Sequence, residues 1–155
     1  MVVRKELPPD DHVSRFVPYS RQEREPDTDK LIGLTAAACE LSARDKGGLS
    51  VNWIEFFGQY SRNARISSAC AYRASLQSNK LPAKGLFAYA QVRAIKDVAH
   101  SYQKPVRVVH CPVPGNEAHS EIRHFDDQDI ELLERLAVEV FSDLEVVKDL
   151  NLPPP

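Results

Sequence analysis

The 155-residue chain has no apolar run near the roughly 20 residues that a membrane-spanning helix needs. Its opening, MVVRKELPPDDH, turns acidic and proline-rich before any apolar stretch, so it does not read as an export signal. Cysteine is scarce. Cys39, Cys70 and Cys111 stand far apart with no CxxC, and an odd count without an export signal points to reduced thiols rather than a disulfide framework. There is no GxSxG, GxGxxG, phosphate-binding P-loop or HExxH. These absences set the expectation of a soluble, cytoplasmic chain with no membrane partner, no recognisable cofactor motif and no assigned metal.

What is present suits one folded unit. Hydrophobic residues make up 43% of the chain and charged residues 27%, enough for a core inside an ordinary polar surface. The expected class is α+β: residues 10–150 as a single domain with a small mixed or antiparallel sheet of about five strands and about three helices. Residues 1–9 read as a loose arm and 151–155 as a disordered proline-rich tail.

The element signals vary in strength. VRVVHC, after Pro105, is rich in β-branched residues and reads as a strand, as do LFAYA at 86–90 and HSEIRHF, taken as the last strand. DDHVSRFVPYS is extended, because Pro18 forbids a regular helix. RQEREPDTDK reads as an exposed loop. Residues 31–42 and 49–53 suggest a β-hairpin around Gly47-Gly48, with Leu49, Val51 and Trp53 on the inner face and Ser50 and Asn52 on the other. Helices are expected at 61–78 with Ser61 as its cap, at 91–103, and at 127–147, where apolar residues recur at helical spacing.

Charge is segregated along the chain. Residues 1–60 hold 8 basic and 10 acidic residues, 61–110 hold 9 and 1, and 111–155 hold 3 and 11. The basic middle offers Arg62, Arg65, Arg73, Lys80, Lys84, Arg93 and Lys96 as nucleic-acid contacts. The competing expectation is that the acidic C-terminal helix lies beside this segment and cancels its field.

The chemistry-bearing residues are few. His119 and Glu121, two apart, share one face of a strand, and a folded-back loop would bring His110 to them. Two imidazoles and a carboxylate suit zinc or acid–base work, although no HxH or HxxxH pair supports a metal. His12, behind two acids, is a further candidate. Asn52 and Glu55 flank the sole tryptophan and suit the rim of a pocket walled by Trp53, where a nucleotide could stack. The plainer alternative makes Trp53 core, leaves Asn52 exposed and has Glu55 act as a cap or pair with Arg62 or Arg65.

With LSVNWIEFF, VRVVHCPVPGNEAH and the terminal amphipathic segment in view, the chain resembles a group of small bacterial proteins with no activity attached. The resemblance implies a bacterial cytoplasmic setting and carries over no catalytic residue. The leading functional expectation is an interaction or regulatory protein acting on a protein partner. The alternatives are a nucleotide- or nucleic-acid-directed hydrolase or transferase, and a nucleic-acid-binding module.

Overall fold

A computed structural model describes residues 4–41 and 48–155. The expected turn around Gly47 therefore falls partly outside the described residues. The chain is an α+β domain built on one six-stranded antiparallel sheet. Its strands are β1 (His12–Val17), β4 (Gly48–Trp53), β5 (Leu86–Gln91), β6 (Arg107–His110), β7 (His119–Arg123) and β8 (Asp143–Val146), in the order β6-β7-β4-β1-β5-β8. A separate two-stranded ribbon pairs β2 (Gln22–Arg24) with β3 (Leu31–Leu34).

Both faces of the sheet are covered, which gives three layers. Strand alternation sends Val13, Val17, Leu49, Val51, Leu86, Ala88, Val108 and Ile122 to one face. There they meet α2 (Val92–Ser101) and α3 (Ile130–Arg135) through Ile95, Ala99, Leu132 and Leu133. Phe87 and Tyr89 point the other way, to Ala64 and Ala69 of α1 (Arg62–Ala74) and Leu150 of the single-turn α4 (Val147–Leu150). Burial on both faces explains why LFAYA is apolar throughout instead of alternating. Ser61 caps α1 by accepting from the Ala64 amide, as its position predicts.

Trp53 belongs to the core side. It packs half-buried against the larger apolar cluster, donates its indole N–H to Asp11 at 2.8 Å and lies beside Lys5, Phe56 and His110. The turn Ile54–Phe57 follows and ends at Gly58, whose φ of 120° a side chain would strain.

Several expectations change. Residues 31–34 do not form a hairpin with β4; they pair with β2, inside the charged segment expected to be a loop. Short edge ribbons need only backbone hydrogen bonds, so charge does not forbid them. The helix expected over 127–147 stops early. It widens into a π turn closed by Phe141 N–H to Leu136 O, and the chain then extends into β8, which covers the β5 edge. β7 is thus not the last strand. Residues 5–7, expected in a loose arm, hydrogen-bond along β6, and Leu7 is buried. In the tail, Leu152 packs beneath α1 and the Pro153 carbonyl accepts from Arg73.

Candidate functional site

β1 and β4 lie side by side at the centre of the sheet but pair only at Val13–Trp53 and Ser14–Asn52. Beyond that point β1 follows β5 to Val17, while β4 follows β7 back to Gly48. The two strands part, and a cleft of about 590 Å³ opens between them. That volume lies within the range of small-molecule sites, ~300–1,000 Å³.

Arg15 sits in the gap. Its guanidinium donates to the carbonyls of Ala38 at 2.7 Å and Ser50 at 2.8 Å, holding the separated β4 to the turn at Ala36–Cys39. Arg21 donates to Ala37 O from the rim. The floor is polar and closed: Asn52 and Asn116 exchange side-chain hydrogen bonds at 2.7 and 3.3 Å, and Asn52 also donates to Ser68 O. Both amides are buried, so Asn52 is not the exposed residue of the plainer expectation. Pairing removes the cost of burying it. Phe16, Tyr72 and Phe87 supply an aromatic end, their centroids 5.3 to 5.9 Å apart. No acidic residue is among the described residues lining the cleft, whereas Arg15, Arg21 and His119 are.

His119 borders the cleft from β7. Its Nδ1 lies 2.8 Å from the Cys111 carbonyl, which can only accept, so Nδ1 donates and, in the neutral ring, Nε2 is the accepting nitrogen. The Ser50 hydroxyl stands 3.3 Å from that Nε2. The arrangement sets a hydroxyl against an imidazole able to take its proton. The Cys111 thiol approaches Nδ1 at 3.5 Å. Burial foremost, with the Glu121 carboxylate adding to it, pushes this thiol up to about 11, so it is protonated at neutral pH.

His110 does not join this group. It pairs with Ser120 across the β6–β7 ladder and so faces the opposite side of the sheet from His119 and Glu121. Its ring lies against Trp53 and Phe56, and Nε2 donates to Glu117 O. Cys111, one residue on, takes the place the sequence offered to His110. Strand parity could have found it, had the register across the loop been known.

The other candidates form separate groups. His12 donates its backbone N–H to Glu55 at 2.8 Å, meets the same carboxylate through Nδ1 and stacks on Tyr60 at 3.8 Å. Glu55 therefore pairs with His12, not with Arg62 or Arg65. Those arginines hold Glu145 and Asp143 on β8. Lys84 pairs with Asp29, Arg93 with Asp10 and Lys96 with Glu6. Arg73 and Lys80 border a shallow groove by the C-terminal segment. The basic middle is thus offset partly by β8, a strand rather than a helix, and partly by acids of the first 30 residues. Of all the binding candidates, Asn52 alone lies in the cleft.

Comparison with known proteins brings no match: no family model, no curated protein and no solved structure is similar to this chain. Any function rests on the site itself. Among the described residues, no helix is long and apolar enough to cross a membrane.

Proposed function

We propose that the protein binds a small anionic metabolite with a planar end, of the nucleotide class, in the cleft between β1 and β4. One observation carries this reading: among the described residues, the cleft brings two guanidinium groups and no carboxylate to a pocket whose other end is aromatic. Arginine forks suit phosphate oxygens, and ring faces suit a base. Asn52, Asn116, Ser14 and Ser50 offer the polar contacts that fix orientation.

The reading follows the nucleotide-directed alternative from the sequence. Carboxylate pairing of Arg62, Arg65, Lys84, Arg93 and Lys96 weighs against the nucleic-acid alternative. The protein-partner expectation drew on missing catalytic motifs and on a polar chain with segregated charge; the formed cleft supports a small ligand instead. A bacterial cytoplasmic setting, where such metabolites are abundant, goes with this reading.

The test is calorimetric titration of the full chain with nucleoside monophosphates, the matching nucleosides and inorganic phosphate. Monophosphates should bind tightest, and Arg21→Ala should weaken them by about tenfold, ~1.4 kcal/mol. Absence of binding at millimolar ligand, or equal affinity in Arg21→Ala, would overturn the proposal.

A further inference from the structure

We propose that Cys111, His119 and Glu121 form a binding site for a divalent transition metal of the zinc type, at the edge of the cleft. Cys111 N–H bonds to His119 O at 3.0 Å, so the two side chains leave neighbouring strands on the same sheet face. Glu121, two residues along β7, shares that face. One ligand atom from each residue lies within 4.8 Å of the others.

The thiol and imidazole are already spaced for a shared metal. Zinc takes sulfur at ~2.3 Å and nitrogen at ~2.0 Å, and a tetrahedral angle between those bonds puts the two atoms about 3.5 Å apart. Cys111 Sγ and His119 Nδ1 are 3.5 Å apart.

The surroundings supply the outer contacts that orient ligands. Arg123 holds a single oxygen of Glu121, Oε1, through Nε at 2.9 Å and Nη2 at 2.6 Å, which leaves Oε2 for a metal. Ser50 Oγ stands at His119 Nε2. Binding would release the thiol proton, break the Nδ1–H bond to the Cys111 carbonyl and move the ring's one N–H hydrogen to Nε2, where it is donated to Ser50. Three protein ligands leave a fourth position open, the pattern of reactive rather than purely structural zinc. Arg4 and Arg123 lie beside the ligands with the metal's own sign of charge, which weakens binding relative to an all-anionic cage.

This site shares His119 and the Ser50 hydroxyl beside it with the nucleotide reading, and its three ligands stand without that reading. The experiment adds cobalt(II) to the reduced, metal-stripped full chain and follows its absorption. One equivalent should bind, with a thiolate-to-cobalt charge-transfer band in the near ultraviolet and strong visible bands of tetrahedral cobalt. Cys111→Ser should abolish the near-ultraviolet band, Cys70→Ser should keep it, and Glu121→Gln should weaken binding by about tenfold or more. No saturable one-to-one complex, or a band that survives Cys111→Ser, would overturn the proposal. If Cys111→Ser does not fold, Glu121→Gln decides, since unchanged affinity there also overturns it. Nucleotide titrations with chelator present examine the cleft without metal, so the two proposals can fail separately.

Discussion

Replacing Asn52 with leucine strikes the floor of the cleft. The Asn116 amide is 2% exposed, and among the described residues its side chain exchanges hydrogen bonds with Asn52 alone. Asn52→Leu fills the space with carbon and strands both the donor and the acceptor of Asn116. Each buried polar group left unpaired costs about 1–3 kcal/mol, which puts the single change near 3 kcal/mol. At ~2–4 °C per kcal/mol for a domain of this size, the melting midpoint should fall by about 6–12 °C. Asn116→Leu should cost less, because Asn52 keeps its bond to Ser68 O. With both replaced, no amide is stranded, and the pair should cost less than the sum of the singles by at least ~1 kcal/mol. Urea denaturation of the four proteins measures this coupling. Additive costs, or an Asn52→Leu protein as stable as the parent, would refute the paired floor.

Alkali should unfold the protein through Tyr89. Burial, and then the Glu145 carboxylate that accepts its hydroxyl at 3.0 Å, raise the folded pKa, so the tyrosine's contribution is intact below its ordinary ~10 and is lost as pH climbs past it. Tyr89→Phe should flatten that alkaline limb in pH-dependent denaturation, and an unchanged limb would exclude Tyr89 as its source. Thiol labelling of the native protein at pH 8 should modify half-buried Cys70 first and Cys39 last, since burial pushes the Cys39 thiol up to about 12. Equal rates would contradict the core position of Cys39. Duplex DNA should bind poorly even at low salt; tight binding that falls steeply with salt would mean that the paired arginines and lysines remain open to phosphate.

Local chemistry made much of this fold readable. Ser61 ahead of a run of helix formers, β-branched VRVVHC and doubly buried LFAYA each follow from short-range pattern. β8 does not. Val140, Phe141 and Leu144 satisfy helical spacing, and only the open edge of β5, more than fifty residues away in sequence, draws 143–146 into a strand. The β2–β3 ribbon was hidden for a related reason, since its pairing uses backbone alone. At the candidate site, His119 and Glu121 share a strand face, as their two-residue spacing predicts. The sequence cannot separate His110 from Cys111 there, because the loop between β6 and β7 leaves the register open and one residue of slip exchanges the two. Of the cleft, Asn52 is the one lining residue that the sequence offers as a binding candidate, and the other walls have no local signal. The cleft arises where two strands far apart in sequence part company.

The most direct measurement of the cleft's role is a ¹⁵N–¹H correlation spectrum of the full chain titrated with a nucleoside monophosphate. Shifts confined to Ser14–Arg21, Ser50–Asn52, Tyr72–Ser75, Phe87 and Asn116–His119 are the result that a ligand between β1 and β4 requires. Shifts centred on Lys80, Arg93 and Lys96, or none at saturating ligand, would contradict it.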